Sequence, residues 1–101
     1  MDIKTTYQDK TAHMKIEGII NSENAYVFQD ELQKVLKSDA RVLEIDLSEC
    51  RNISSTGIGR LLLFYKEFMT RSGEIEIVKC SPTIYELFTM IKLNQLFAVN
   101  L

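Results

Sequence analysis

Four segments of this chain change character at every residue. In the first, Ile3, Thr5 and Tyr7 share one side; in the second, Ala12, Met14 and Ile16 oppose His13, Lys15 and Glu17. Further on, Leu43, Ile45 and Leu47 oppose Glu44 and Asp46, and Ile75 and Ile77 oppose Glu74 and Glu76. Period-two alternation over such lengths marks half-buried strands. The acidic residues then set the architecture. A sheet covered on both faces has strands that are apolar throughout, so these strands must leave one face wet and gather their helices on the other. That argues against a doubly wound dinucleotide-binding fold.

Between the strands the spacing becomes helical. Gln8 to Thr11 is a polar turn, so the first two strands form a hairpin, and Gly18 closes the second. Ala25, Phe28, Leu32, Val35 and Leu36 make the apolar stripe of a first helix. Asn21 or Ser22 can cap it, Glu23 suits its positive end and Lys34 and Lys37 its negative one. The third strand is Arg41 to Leu47, followed by a loop from Ser48 to Ser55. A second helix is expected from Thr56 to Ser72, with Ile58, Leu61, Leu62, Tyr65 and Met69 facing inward and Gly73 as its stop. Glu74 to Val78 is the fourth strand. Ser81 as cap and Pro82 at the first helical position open a third helix, with Ile84, Leu87, Phe88 and Ile91 as its stripe. Leu96 to Leu101 fits a short strand or a fraying helix equally well. The order ββαβαβα predicts an α/β fold: a mixed, mostly parallel sheet of four to five strands, right-handed crossovers and helices mainly on one face.

At 101 residues the chain has room for one core, and residues 1–101 are read as a single domain. Its twelve Lys and Arg are scattered and the net charge is −2, so nucleic-acid binding is not expected. The start, Met1 to Thr5, has no leader-like apolar run, and no stretch is long enough to span a bilayer; a cytoplasmic protein with no direct membrane insertion is expected. Cys50 and Cys80 read as reduced thiols at strand ends. His13 is the single histidine, on the polar side of its strand, so no multi-histidine metal site can form and it is read as exposed. Neither a metal nor a cofactor is expected.

The most informative stretch is Asn52-Ile53-Ser54-Ser55-Thr56-Gly57-Ile58-Gly59-Arg60, where a strand hands over to a helix. Helix N-termini at the carboxyl ends of parallel strands expose unpaired N–H groups, and sites form there. Capping alone explains one hydroxyl at such a place but not three in a row. Gly57 and Gly59 each cost a helix roughly 0.5–1 kcal/mol relative to alanine, which points to close backbone approach by packing or by a partner. The pair lacks the third glycine of a dinucleotide fingerprint, since Leu62 stands there, and no Gly-Lys-Ser/Thr phosphate loop follows. Nucleophilic catalysis by Ser54 or Ser55 lacks a base, and Asp46 lacks the acidic pair that a receiver-domain phosphoacceptor requires. The chain is not read as an enzyme.

Gly18-Ile19-Ile20-Asn21, Leu43-Glu44-Ile45-Asp46-Leu47, Ile53-Ser54-Ser55-Thr56-Gly57-Ile58-Gly59 and Ser81-Pro82 with Leu87-Phe88 together resemble a STAS domain. This module is shared by sulfate transporters and bacterial anti-sigma factor antagonists. The family hallmark reads Asp-Ser-Ser/Thr-Gly-x-Gly. By that resemblance Ser55 is the phosphorylated serine, with Ser54 and Thr56 as secondary acceptors. The resemblance implies partner switching. The unphosphorylated protein binds an anti-sigma factor that is also a serine kinase, phosphorylation releases it, and a metal-dependent serine phosphatase restores the binding form. Two departures stand out: Ser54 replaces the hallmark aspartate, and Asn21 lies where aspartate is common. The implied partner surface comprises Asn21, Ser22, Ser54, Ser55, Thr56, Gly57 and Gly59. On a helical wheel Arg60, Leu63, Phe64 and Glu67 extend it along the second helix, away from the expected inward stripe. A monomer or weak dimer is expected. The alternative keeps the fold and drops the phosphorylation: an interaction subunit serving a stress-signalling scaffold or a membrane transporter.

Overall fold

The alternating segments form strands and the longer periods form helices in a computed structural model that describes residues 1–101. In chain order these are β1 (Asp2–Gln8), β2 (Thr11–Ile20), α1 (Ala25–Lys37), β3 (Val42–Leu47), β4 (Cys50–Ile53), α2 (Ser55–Met69), β5 (Glu74–Cys80), α3 (Pro82–Met90) and β6 (Ala98–Val99). β1 and β2 form the expected hairpin, turning through Asp9 and setting Ile3 opposite Ile16 and Tyr7 opposite Ala12. The pairs β2–β3, β3–β5 and β5–β6 are parallel, which gives the order β1-β2-β3-β5-β6, with β4 joined to β2 alone. The sheet therefore has six strands instead of four or five. The additions are β4, inside the segment read as a loop, and β6, which settles the tail as a strand after a 3-10 turn at Leu93–Gln95. At four and two residues, neither is long enough to show a period.

One face of the sheet carries the core. Met14, Ile16, Leu43, Ile45 and Ile77 meet Phe28 and Leu32 of α1, Leu61 and Phe68 of α2, and Ile84 and Phe88 of α3 in a cluster that buries no polar side chain. The other face bears His13, Lys15, Glu44 and Asp46. There the partly exposed His13 sets its Nδ1 3.0 Å from Glu44 Oε1. Asp46 accepts the Ser48 N–H at 2.8 Å. Partial burial opposes ionisation of Asp46, but the Ser48 hydrogen bonds and the charges of Lys15 and Lys79 outweigh it and hold the carboxyl below its usual range. Cys50 opens β4 and Cys80 closes β5, both as buried free thiols whose pKa burial pushes up.

Gly18 does not end β2. It adopts φ 97°, closed to most side chains, and donates its N–H to the Glu49 carbonyl at 3.0 Å. At this irregularity β2 leaves β3, its partner from Thr11 to Lys15, and pairs with β4 up to Ile20–Ile53. A bulge thus redirects one strand toward two neighbours in succession.

The helices also correct the sequence reading. α2 buries Gly57, Leu61, Phe64 and Phe68, while Met69 is exposed. The unbroken apolar run from Leu61 to Tyr65 leaves the phase of the stripe undetermined; in the fold Phe64 and Phe68 turn into the core, their rings stacked 4.8 Å apart. α2 ends at Met69, and Ser72, not Gly73, takes the left-handed turn, at φ 60°. Gly73 donates to the Phe68 carbonyl at 2.9 Å and is glycine because a Cβ would lie 2.6 Å from the Phe68 ring. In α3 the Ser81 hydroxyl accepts the Ile84 N–H, as expected of the cap. Ile91 lies past the helix end and is exposed, since the chain turns away through Lys92.

Arg71, just beyond α2, ties the two helices together. Its Nη1 donates to the Leu36 carbonyl at 2.7 Å, and its Nη2 donates to Val35 at 3.2 Å and Ala40 at 2.9 Å. The guanidinium lies over the Phe68 ring. These carbonyls lie in the last turn of α1 and the turn beyond it, and that of Val35 also accepts from Ser38. Arg71→Ala is expected to lower unfolding free energy by about 2 kcal/mol in urea titration, with Arg71→Lys recovering only part because an ammonium lacks the planar fork.

Candidate functional site

The redirected end of β2 and the end of β4 lie side by side, and their carboxyl ends form one rim. Ser54 follows β4 directly. Its N–H donates to the Ile20 carbonyl at 2.8 Å, and its own carbonyl accepts the Ile58 N–H at 2.9 Å. Its hydroxyl accepts the Gly57 N–H at 3.2 Å, which makes Ser54 the N-cap of α2. Ser55 is the first helical residue and is exposed; Thr56 is half-buried. The three hydroxyls therefore divide: one caps, one is partly covered, and one faces solvent.

The glycines divide as well. A Cβ on Gly57 would lie 2.7 Å from Ile20 Cγ2 and 2.9 Å from Ile53 Cγ1, so packing against the ends of β2 and β4 requires glycine there. On Gly59 a Cβ would meet nothing within 4 Å. Nothing in this chain accounts for the helix-weakening residue at position 59.

The start of α1 forms the other side of the rim. Neither Asn21 nor Ser22 caps that helix. α1 begins after Asn24, and Asn21 Oδ1 instead accepts the Glu23 and Asn24 N–H groups, each at 2.9 Å, in the turn that precedes it. Ser22 is exposed. Asn24, which carried no motif, binds back to Ile19 and Asn21.

Along α2 the outer face is narrower than the wheel suggested. Leu63 is 57% exposed and Glu67 is exposed, on the same side as Ser55 and Gly59. Arg60 is half-buried. Phe64 is removed from the surface: at 2% exposure it belongs to the core, where its ring stacks on Phe68. Tyr26, in the first turn of α1, is 62% exposed and lies on the same helical layer; helical spacing alone did not single it out.

Chemically the rim offers hydroxyls, backbone and a few apolar side chains. No carboxylate stands in the first turn of α2, and nowhere do three or more His, Cys, Asp or Glu gather in a way that could hold a metal ion. No helix is long and apolar enough to cross a membrane. Ser54→Ala removes the cap and is expected to cost about 1 kcal/mol in chemical denaturation, whereas Ser55→Ala, which removes no such bond, should fall within about 0.5 kcal/mol of the parent.

Comparison with known proteins agrees with the fold. A family model described as "Mlab, STAS domain" matches residues 3–99. The anti-sigma-B factor antagonist of Staphylococcus aureus is 26% identical over 100 residues, covering 99% of this chain and 93% of that protein. Among solved structures, an anti-sigma factor antagonist from Mycobacterium paratuberculosis superposes with a TM-score of 0.87 at 19% identity, covering 98% of this chain and 84% of that one. The anti-sigma factor antagonist SpoIIAA in its unphosphorylated form gives 0.83 at 13%, with 97% and 87% covered. The six-stranded sheet, its one-sided helical layer and the match over nearly all residues place this chain in the STAS domain family, alongside the anti-sigma factor antagonists.

Proposed function

We propose that this protein antagonises an anti-sigma factor by partner switching. With Ser55 unmodified it binds an anti-sigma factor that is also a serine kinase; phosphorylated on Ser55 it lets go, and a metal-dependent serine phosphatase resets it. Its role is to bind rather than to turn over a substrate. The observation that carries this reading is the position of Ser55: exposed at the first position of α2, with its hydroxyl outside the cap that Ser54 provides.

The energetics are sufficient without any refolding. A phosphoserine carries about −1.5 to −2 charge at pH 7 and holds water tightly. In an interface the dianion must lose that water, and a penalty of about 3–4 kcal/mol already weakens binding several hundred-fold. Within the domain the same group sits at the positive end of α2, which has no carboxylate in its first turn to repel it. Ser54 caps α2 with a neutral group where the family hallmark has an acid. In this scheme the kinase meets Ser55, Gly59 and Leu63 along α2, with Thr56, Arg60 and Glu67 flanking them and Asn21 and Ser22 contributing from the neighbouring loop. Gly59 is the place where the partner's main chain comes closest.

Incubation with ATP and the host's anti-sigma factor kinase, read by mass spectrometry, should place one phosphate on Ser55. Calorimetry should then find Ser55→Ala binding like the unmodified parent and Ser55→Asp weakened at least about a hundred-fold. Equal binding by both would favour the unmodified interaction subunit instead. Gly59→Ala separates folding from recognition. It should stabilise the isolated domain by about 0.5–1 kcal/mol, as an alanine does inside a helix, while weakening the complex.

A further inference from the structure

Asn24 immediately precedes α1, yet its side chain makes no hydrogen bond to the helix it precedes. Both of its polar atoms turn back. Oδ1 accepts the Asn21 N–H at 2.8 Å, and Nδ2 donates to the Ile19 carbonyl at 2.9 Å. The bonded groups belong to the residues on either side of Ile20. Asn21 closes the knot from the opposite direction, its Oδ1 taking the Glu23 and Asn24 N–H groups. Ile20 in turn presents the carbonyl that receives the Ser54 N–H, and its Cγ2 is the wall that Gly57 needs. The chain of contacts runs from Asn24 to Ile20 and from Ile20 to the cap and first turn of α2.

We propose that Asn24 is the positioning residue of the Ser55 rim, holding Ile20 so that the start of α2 is presented to a partner in one geometry. An ordinary N-cap spends its side chain on its own helix; this one spends it on the strand end that supports the neighbouring helix. The inference rests on the reading of that rim as the partner site. Pre-ordering has a kinetic signature. When only a fraction of molecules holds the competent geometry, apparent affinity falls by that fraction and the loss appears in the association rate, whereas a lost contact appears in dissociation.

Two measurements test this. In the isolated domain, amide hydrogen exchange of Asn24→Ala should show Ser54 and Gly57 exchanging about tenfold faster, as expected when a supporting hydrogen bond is lost, with Ile45 and Ile77 in the central strands unchanged. Asn24→Asp, which keeps the acceptor for Asn21 and loses the donor to Ile19, should fall between. With the host's anti-sigma factor kinase as the probe, stopped-flow binding of Asn24→Ala should show a slower association rate and an unaltered dissociation rate. Unchanged protection of Ser54 would overturn the proposal, and so would faster dissociation at an unaltered association rate, which would make Asn24 a direct contact. The exchange result stands apart from the function: if Ser55→Asp binds the kinase as the parent does, the partner-site reading fails while the exchange experiment still decides whether Asn24 holds the rim.

Discussion

A backbone hydrogen bond from Ser54 N–H to the carbonyl of Ile20 extends the pairing of β2 with β4 and ties the start of α2 to the end of β2. For it to form, β2 must part from β3 and run beside β4, and that departure needs a residue at φ 97°, which Gly18 supplies. Downstream, the same contact sets the cap of α2 and brings Ile20 and Ile53 so close that position 57 has no room for a side chain. A bulge in the second strand therefore governs where a serine at residue 55 stands. The rest of the core, apolar throughout, provides a rigid floor beneath it.

The division of labour among three adjacent hydroxyls follows from helix geometry. At α2 the residue before the helix turns its side chain back to a free N–H group, and the first residue within it lies on the exposed side. Ser54 and Ser55 occupy those two positions, so identical chemistry gives one structural group and one accessible group. A neutral cap also leaves the positive end of the helix uncompensated. An anion arriving there finds a welcoming field within the domain, and any cost of carrying it falls on whatever is bound outside.

Strands whose faces differ in polarity announced themselves in the sequence, and with them the one-sided helical layer: Glu44, Asp46, Glu74 and Glu76 were enough. The hydroxyl run at the strand-to-helix junction was equally plain. Three things were hidden. β4 is too short to alternate, so the strand that delivers the site looked like a loop. The phase of α2 was concealed by five consecutive apolar residues, Leu61 to Tyr65, and only the packed fold shows that Phe64 turns in and Leu63 out. Gly18, Gly57, Gly59 and Gly73 look alike on paper, yet one bends a strand, two avoid collisions and one has empty space around it. Composition cannot distinguish these cases, because the difference lies in what surrounds the missing Cβ.

The sheet's margins carry a consequence of their own. β1, at one border, exposes Asp2, Lys4, Thr6 and Gln8; β6, at the other, is two residues long, and β4 offers only four. Short or charged borders discourage main-chain annealing with another copy or a foreign strand. In the proposed scheme recognition then rests on side chains at the helical end. An association built from side chains can be undone by altering one of them, whereas an added strand, zipped along its whole backbone, would outlast any single chemical mark.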